Sequence, residues 1–504
     1  MEPSLNFSDS QTIAAISTPP GKGGIAIVRI SGPNALSIVN SAWKGVDLTS
    51  VASHTAHLGK YISSDGEIID EGVATIFLAP HSFTGENIVE LGVHGSSFIQ
   101  REILNDLIRR GVRIAAPGEF TQRAFLNGKI DLAQAEGIAD LIASSSKAAH
   151  DMAINQTRGK FSKEFNSLRD KLIEFASLLE LELDFSEEEV EFADRKSLMQ
   201  LCREIILKID ALAASFLRGR VLKNGVPVVI AGIPNAGKSS LLNLLLNDEK
   251  AIVTDIPGTT RDTIEDTAEF DGVIYRFIDT AGLRQTEDIV EGIGVKRARE
   301  SLEKAFIVLW LIDPTQSITQ QVRMMKDFHL SHSSIHLIPL ITKSDLDLEK
   351  LTLNEKSSAE YETDNQTEFV LSAQDSAIQT DPVSLMIDSE NQTVSSSIDS
   401  LYPIQFSSLT HQGLDSLINR LKEITTDGAD PISDIIVTNS RHYEALQKAS
   451  QALSRGLTSL SEGTSADLIA QDIREAITHL SLITGSITTT DLLHSIFSRF
   501  CIGK

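Results

Sequence analysis

The order of apolar and polar positions divides the chain into segments of different secondary structure. Up to about residue 127, short runs rich in β-branched residues, such as IAIVRISG and NIVELGVHG, alternate with turn residues, whereas QREILNDLIRRG has helical spacing. Strands mixed with a helix in so short a segment predict a small α+β domain over residues 1–127.

The apolar period becomes that of a helix after residue 128. Six apolar residues recur at intervals of three or four: Phe161, Phe165, Leu168, Leu172, Phe175 and Leu179. This spacing predicts a long helix with one buried face. The acidic run at its end, LELELDFSEEEVEFAD, is interpreted as a solvated helix end, because runs of like charge favour water.

Residues 220–425 show a third pattern. Four apolar runs typical of buried strands, VPVVIAG, YRFIDTAG, FIVLWLID and HLIPLITKSD, alternate with helical segments, which predicts a parallel α/β sheet. Within this region, residues 346–403 hold twelve acidic residues and two lysines among many Ser, Thr, Asn and Gln residues. We therefore expect these residues to form a surface insertion.

Residues 426–504 return to helical spacing and present an apolar face that needs a partner. The helical segment 128–219 is the economical partner. The predicted fold is therefore multi-domain, with an α+β N-terminal domain at 1–127, a discontinuous all-α helical domain at 128–219 and 426–504, and an inserted α/β P-loop domain at 220–425.

Length and composition set further bounds. A chain of 504 residues exceeds one ordinary core, and two cysteines do not suit a disulfide framework. No apolar run is long enough to cross a bilayer, and the N-terminus lacks the features of a secretory signal, so we expect a cytoplasmic protein. The net charge of −24 repels phosphate backbones, so contact with nucleic acid would have to be local or shared with a partner; solubility alone is the other explanation.

A phosphate-binding pattern opens the third segment. GIPNAGKSS follows the apolar run PVVIA and precedes the helical LLNLLLN, which is the setting that the G-x-x-x-x-G-K-[ST] pattern requires. Gly232 and Gly237 let backbone amides close on phosphates, Lys238 neutralises their oxygens, and Ser239 offers a hydroxyl to Mg²⁺. The chain is therefore predicted to bind a nucleoside triphosphate.

Two strand-end motifs indicate a GTPase. DTAG ends an apolar strand, so Asp279 can reach the water shell of the metal and the Gly282 amide can reach the γ-phosphate. TKSD ends another strand, where the Asp345 carboxylate can accept paired hydrogen bonds from the N1 and N2 edge of guanine, which adenine cannot donate. Thr342 stands where the usual motif has Asn.

The loop under the base has two candidates. FSSLTHQGLDSLINRL places Ser407–Leu409 between a strand and a helix, whereas VLSAQ around Ser372 lies within the polar insertion and lacks that frame. The later segment is therefore preferred.

The catalytic part of the predicted site depends on the switch segments. In TDIPGTTRD, Thr259 and Thr260 suit a switch that folds over Mg²⁺ and the γ-phosphate. Leu283 follows the DTAG glycine and has no polar atom with which to orient water. We assign that role to Glu291, with an exposed acid at a helix cap as the alternative interpretation.

Cys501 lies in the final four residues, CIGK. As a lipidation box this sequence is poor, because Gly503 is not aliphatic and Lys504 is an unusual final residue. The preceding SIFSRF is apolar enough to pack against the fold. A role for Cys501 as nucleophile, as acid or base, or in packing alone stays open.

Together these stretches resemble the MnmE (TrmE) family of tRNA modification GTPases over nearly the full length. The resemblance rests on TPPGKGGIAIVRISG, SFTGENIVELGVHG, APGEFTQRAFLNGKIDLAQAEGIADLI, GIPNAGKSSLLN, VTDIPGTTRD, DTAGLR and FSRFCIGK. The chain departs from the family pattern at Asn87, where Asp is usual, at Thr342, at Ser408, where Ala is usual, and in its long insertion.

The resemblance implies an N-terminal domain that binds a one-carbon tetrahydrofolate, in the formyl or methylene form. The family's folate contacts match Arg29, Glu90, Lys129 and Lys504, and the C-terminal tail is expected to tuck against this region with Cys501 near the chemistry. The basic residues can meet folate carboxylates or carbonyls, and Glu90 can accept from pterin N–H groups. Without the resemblance, each would be interpreted as a solvated surface charge.

The resemblance also implies a potassium ion that stabilises negative charge on the phosphate oxygens. Potassium is assigned to Asn235, Thr254, Ile256 and Thr259, and Mg²⁺ to Ser239 and Thr260. Arg261 and Arg284 are the side-chain alternatives to the potassium ion. The implied assembly is a homodimer through the N-terminal domains, whose paired GTPase domains close across their nucleotide faces.

The complete predicted site follows from these motifs and from the resemblance. The residues assigned to catalysis are Lys238, Glu291 and Cys501. The residues assigned to GTP binding are Asn235, Ala236, Gly237, Lys238, Ser239, Ser240, Thr254, Asp255, Ile256, Pro257, Gly258, Thr259, Thr260, Asp279, Thr280, Ala281, Gly282, Thr342, Lys343, Ser344, Asp345, Ser407, Ser408 and Leu409.

Two functions of different class fit these features. In the first, GTP hydrolysis drives a complex with an MnmG (GidA)-type partner that uses FAD and NADH. This complex, expected to be a heterotetramer, adds a carboxymethylaminomethyl or aminomethyl group to C5 of the wobble uridine of certain tRNAs, and folate supplies one carbon. The second is a regulatory GTPase switch of the ribosome-assembly or membrane-associated type. Residues 426–504 show no Lys/Arg cluster, which favours the enzyme.

Overall fold

The computed structural model describes residues 11–184, 195–247, 265–278, 302, 304–346, 402–426, 435–462, 464–498 and 500–503. Its strands are β1 (Ile13–Ile16), β2 (Gly23–Ser31), β3 (Trp43–Lys44), β4 (Thr55–Ile62), β5 (Ile68–Phe77), β6 (Ile88–Gly95), β7 (Arg113–Ile114), β8 (Val226–Gly232), β9 (Asp266–Phe270), β10 (Val273–Phe277), β11 (Ile307–Ile312), β12 (His336–Ile341) and β13 (Ile404–Gln405).

The helices follow the same chain order. They are α1 (Ala35–Ser41), α2 (Ser97–Arg109), α3 (Glu119–Leu126), α4 (Leu132–Ala143), α5 (Lys147–Thr157), α6 (Lys160–Asp184), α7 (Arg195–Asn224), α8 (Lys238–Asn247), α9 (Ile318–Ser331), α10 (Leu414–Thr426), α11 (Ser440–Glu462), α12 (Ala466–Thr484) and α13 (Thr490–Phe497).

The chain divides into two compact units. The first comprises Met1–Ala143, Met152–Ala214 and Asn439–Lys504, and the second comprises Ser144–Asp151 and Ser215–Thr438. The second unit thus interrupts the sequence of the first at two points, and residues 215–438 form its main segment. The predicted boundary near residue 127, between an N-terminal and a helical domain, stays a prediction.

The first unit contains a seven-stranded sheet in the order β3-β4-β5-β6-β2-β1-β7. Its pairs are antiparallel except for β1 with β7. Helix α2 covers the sheet through Ile103 and Leu107, which pack with Val28, Ile30 and Leu91. This packing places the side chains of β2 and β6 that alternate with the core positions, among them Arg29 and Glu90, on the opposite face.

The remainder of the first unit is helical. All six apolar residues of the spaced set in α6 are buried, which confirms the predicted long helix with one buried face. Helix α6 packs against α12, and α12 packs against α11. The acidic run proposed as a solvated helix end extends into residues 185–194, which lie outside the described residues.

A buried ion pair ties three of these helices together. Arg441, at the start of α11, donates to both carboxylate oxygens of Glu136 on α4, and it also donates to the carbonyl oxygens of Leu482 and Ile483 at the end of α12. The His442 ring nitrogen Nε2 lies 2.7 Å from Glu136 Oε2. Burial alone would raise the pKa of Glu136, but His442 and Arg441 lower it to about 2.

The second unit is a three-layer α/β structure with strand order β13-β12-β11-β8-β10-β9. Alternate residues of β11 face opposite layers: Leu309 and Leu311 pack with residues of α8 and α10, and Val308 and Trp310 pack with residues of α9. The multi-domain prediction, with α+β, all-α and α/β parts, is confirmed.

The sheet of the second unit is mixed, although the sequence predicted a parallel one. Strand β9 pairs with β10 in the antiparallel direction, whereas the other pairs are parallel. The two antiparallel strands are joined by Asp271 and Gly272 alone, and so short a connection permits only a hairpin.

Candidate functional site

The loop between β8 and α8 adopts the backbone of a phosphate cradle. Gly232, Asn235 and Gly237 have φ values of 147°, 62° and 96°. A Cβ atom at Gly232 would lie 2.8 Å from the carbonyl oxygen of Leu311 on the neighbouring strand, so only glycine fits there. The turn leads directly into the N-terminus of α8, where backbone N–H groups and the helix dipole favour an anion.

Lys238, the first residue of α8, folds back over this loop. Its Nζ donates to the carbonyl oxygens of Gly232, at 2.9 Å, and Ile233, at 2.8 Å. Burial lowers the pKa of Lys238. The ammonium group is thus held at the mouth of the loop with donor capacity left for a phosphate oxygen. Ser239 follows in the first turn of the helix, the position from which a hydroxyl can meet Mg²⁺.

The predicted base-binding residues come together where β12 and β13 end. Asp345 Oδ1 accepts a hydrogen bond from Ser407 Oγ at 2.6 Å, and this hydroxyl oxygen accepts from the backbone N–H groups of Leu409 and Thr410 at 3.3 Å. The Ser344 N–H donates to the Phe406 carbonyl oxygen. These hydrogen bonds therefore hold together two loops that the long insertion separates in the sequence.

Thr342 and Lys343 are turned toward β11. The Thr342 hydroxyl is buried and lies 3.2 Å from the Ile312 carbonyl oxygen, to which it donates. Lys343 has a φ of 57°, in the left-handed region, and its Nζ lies 2.7 Å from Oδ2 of Asp313. Sequence reasoning did not assign Asp313, although a carboxylate at the carboxyl end of a buried strand in an α/β sheet is a signal for a site.

Several predicted site residues lie outside the described residues. These are Thr254, Asp255, Ile256, Pro257, Gly258, Thr259, Thr260, Arg261, Asp279, Thr280, Ala281, Gly282, Arg284, Glu291, Ser372 and Lys504, together with residues 347–401 of the insertion. The switch, water-orienting and potassium assignments that depend on them stay predictions.

In the first unit, the guanidinium group of Arg29 on β2 lies near two aromatic rings. Its guanidinium carbon is 5.7 Å from the Phe83 ring centroid and 5.6 Å from that of Phe120. Its Nε donates to Glu90 Oε1 at 2.7 Å, across the β2–β6 pair. Among the described residues, Glu90 Oε2 accepts no hydrogen bond, so this oxygen is available to a ligand N–H group.

The C-terminal tail contacts the same region. Ser17 Oγ donates to the Gly503 carbonyl oxygen at 3.1 Å, and Arg29 Nη1 donates to it at 3.4 Å. The Gly118 N–H donates to the Cys501 carbonyl oxygen, while the Cys501 side chain is exposed. Phe500 is buried in a cluster with residues of α4 and α13. The tail is therefore packed, which favours the folded-tail interpretation over a lipidation box.

Lys129 reaches the same neighbourhood through the loop after β5. Its exposed Nζ donates to the Pro80 carbonyl oxygen at 3.0 Å, and its stem lies beside Gly85. This loop also carries Phe83. Asn87 Oδ1 accepts from the Ala79 N–H, a bond that the Asp usual in the family would keep. Sequence reasoning missed Ser17, Phe83 and Phe120, since an aromatic residue or a lone serine is common in any core or loop.

The described residues hold no group of three His, Cys, Asp or Glu side chains arranged to bind a metal. A P-loop site fits this finding, since Mg²⁺ at nucleotides is held by one or two protein oxygens and by phosphates. Within the same residues, no helix is both long and apolar enough to cross a bilayer.

Comparisons with known proteins identify the family of the chain. Residues 12–129 match the family described as GTP-binding protein TrmE N-terminus, and residues 132–501 match the MnmE helical domain. The tRNA modification GTPase MnmE of Cytophaga hutchinsonii is 45% identical over 495 residues, which cover 98% of each chain. The protein of the same name from Porphyromonas gingivalis is 42% identical over 509 residues, which cover 99% of each chain. The chain therefore belongs to the MnmE (TrmE) family of tRNA modification GTPases.

Proposed function

We propose that this GTPase acts with an FAD-dependent partner of the MnmG type to add a carboxymethylaminomethyl or aminomethyl group to C5 of the wobble uridine of certain tRNAs. The observation that supports the proposal is the tail: Ser17 and Arg29 donate to the carbonyl oxygen of Gly503, two residues after the exposed Cys501, and the same Arg29 is paired with Glu90.

The residues around Arg29 suit a folate. A one-carbon tetrahydrofolate supplies the carbon when it is bound. Oε2 of Glu90 can accept from the amino and ring N–H groups of a pterin, and Lys129 can meet a carboxylate. The hydrogen bonds from Arg29 to Glu90 and to the Gly503 carbonyl oxygen orient its guanidinium group, against which the Phe83 and Phe120 rings lie.

The second unit would bind and hydrolyse GTP. Lys238 would neutralise phosphate oxygens, Ser239 would contribute a hydroxyl to Mg²⁺, and Asp345 would select guanine. The homodimer, the heterotetramer with the partner, the potassium ion at Asn235 and the cytoplasmic location stay predictions.

The test is mass spectrometry of wobble nucleosides from cells that lack this protein and are complemented with variants. The Cys501→Ser variant should leave GTP turnover by the purified protein unchanged and abolish the modified nucleoside, because the hydroxyl is a far weaker nucleophile and acid than the thiol.

The matched control is Ile502→Ser, which introduces the same hydroxyl side chain at an exposed neighbouring position. Loss of the nucleoside in both variants would assign the effect to the tail rather than to the thiol. If wobble nucleosides are normal in cells without the protein, the modification role is wrong and the regulatory switch is the alternative to test.

A further inference from the structure

We propose that Asp313 is a positioning residue of the guanine site, which acts by holding Lys343 in the conformation that supports the purine ring. This inference rests on the proposed GTP site and names a residue outside the nucleotide-binding motifs. Asp313 directly follows the central strand β11, and Lys343 lies 30 positions later, after β12.

The two carboxylate oxygens of Asp313 have separate tasks. Oδ1 accepts hydrogen bonds from the Thr315 backbone N–H, at 3.0 Å, and from its hydroxyl, at 2.7 Å. Oδ2 accepts from Lys343 Nζ at 2.7 Å. The bonds from Thr315 to Oδ1 are sufficient to shape the turn after β11. The bond from Lys343 to Oδ2 reaches another loop, which a purely local structural role would not require.

The carboxylate itself is fixed. Asp313 is fully buried, and the Gln321 side chain bonds to both its backbone N–H and its carbonyl oxygen at 2.9 Å. Burial alone would raise the pKa of Asp313, but hydrogen bonds from Lys343 and Thr315 lower it. A buried charge of this kind needs its partner, so Asp313 holds the Lys343 ammonium firmly.

Lys343 is held in a backbone conformation that lysine rarely adopts, with a φ of 57°. Strain of this kind persists only where the surroundings fix it. Thr342 is anchored to β11 on one side, and the Ser344 N–H is bonded to the Phe406 carbonyl oxygen on the other.

Only the side chain of Lys343 would otherwise be free, since a lysine stem has four rotatable bonds. The ion pair removes this freedom. The partly exposed methylene groups of Lys343 then form a fixed apolar surface two residues before Asp345, the residue proposed to recognise the edge of the base.

The Asp313→Asn variant separates the two tasks. Asparagine keeps Oδ1 for Thr315 but places an N–H₂ donor against the Lys343 ammonium, so only the second contact is lost. A less ordered Lys343 side chain weakens binding in the ground state and in the transition state equally. We therefore expect the KM for GTP and the Kd for GDP to rise about tenfold, with kcat changed less than twofold.

The matched control is Asp271→Asn, which breaks an exposed ion pair of the same length, with Lys422, in the same unit. It should leave KM and kcat unchanged. The Lys343→Met variant should raise KM as Asp313→Asn does, and adding Asp313→Asn to it should change KM less than twofold, because the aspartate acts through the lysine. Lys343→Arg, which keeps the pair, should stay near the wild type.

An unchanged KM in Asp313→Asn, or equal and additive effects in the double variant, would overturn the proposal. A fall in kcat with the fraction of folded protein and an unchanged KM would reduce Asp313 to a structural role. If Asp313→Asn does not fold, the comparison of Lys343→Met with Lys343→Arg decides, and equal KM values contradict the inference. Failure of the wild-type protein to bind GTP would instead contradict the proposed function.

Discussion

Asp345 and Ser407 are 62 positions apart, yet the serine hydroxyl donates to Oδ1 of the Asp345 carboxylate. That arrangement fixes the plane of the carboxylate before any nucleotide arrives. Preorganised acceptors of this kind discriminate strongly, because a base without matching donors leaves a polar group unpaired.

At this residue, Asp345→Asn should exchange guanine preference for xanthine. The asparagine keeps Oδ1 for Ser407 but presents N–H₂ where guanine also presents donors, whereas xanthine has a carbonyl oxygen at C2. Competition against a fluorescent guanine nucleotide should show GTP affinity falling about a hundredfold or more and XTP affinity rising. If GTP affinity is unchanged, Asp345 does not read the base.

At the scale of the element, the tail depends on one glycine. Gly503 has a φ of 96°, and a Cβ atom there would lie 2.5 Å from the Ile16 carbonyl oxygen. Gly503→Ala should therefore release the tail, through a clash added to about 1 kcal/mol of backbone strain. Chymotryptic cleavage after Phe497 or Phe500, followed by mass spectrometry, should become about tenfold faster, because local opening exposes these buried rings.

Gly111→Ala is the matched control for this prediction. Its φ is 91°, but a Cβ atom there would meet no atom within 4 Å, so the backbone strain is present without the clash. The tail of this variant should be cleaved at the wild-type rate. Equal rates in all three proteins would show that the tail does not depend on the close approach at Gly503.

The Glu136–Arg441 pair makes the helical elements sensitive to acid. The pKa of Glu136 is lowered to about 2 from its usual 4.5, so its stabilising effect is complete above about pH 4.5 and is lost as the pH falls toward 2. Glu136→Gln should lower the free energy of unfolding by about 3 kcal/mol at pH 7, and this difference should shrink through that pH range.

The measurement can be restricted to the first unit. Trp43 and Trp310 are the two tryptophans, so a Trp310→Phe background leaves Trp43, in the first unit, as the fluorescent reporter of denaturation. Glu180→Gln, which breaks an exposed pair with Arg474, is the control and should change little at any pH. A difference between wild type and Glu136→Gln that is constant with pH would contradict the assignment.

Across the whole molecule, local periodicity was sufficient for much of the fold. The buried face of α6 and the strands β8, β11 and β12 follow from apolar spacing alone. Strand β9, DTAEF, was missed because its buried residues, Ala268 and Phe270, alternate with polar ones in a run too short to stand out.

For the candidate site, sequence motifs identified the predicted binding residues but not the residues that hold them in place. The P-loop and TKSD have fixed spacing, so Lys238 and Asp345 could be named from the sequence. The partner of Lys343 and the rings flanking Arg29 depend on which strands become neighbours, and that information is not local. Ser407 could be proposed from the sequence because the strand and helix around it could be recognised.

The bond from Ser17 to Gly503 joins positions 486 apart in the sequence. During translation, the sheet that carries Arg29 leaves the ribosome early, whereas the residues that close over it are made after the whole inserted unit. A prematurely terminated polypeptide would therefore lack Cys501 and the bonds from Ser17 and Arg29 to Gly503, so the proposed tetrahydrofolate site could be completed only in a full-length chain.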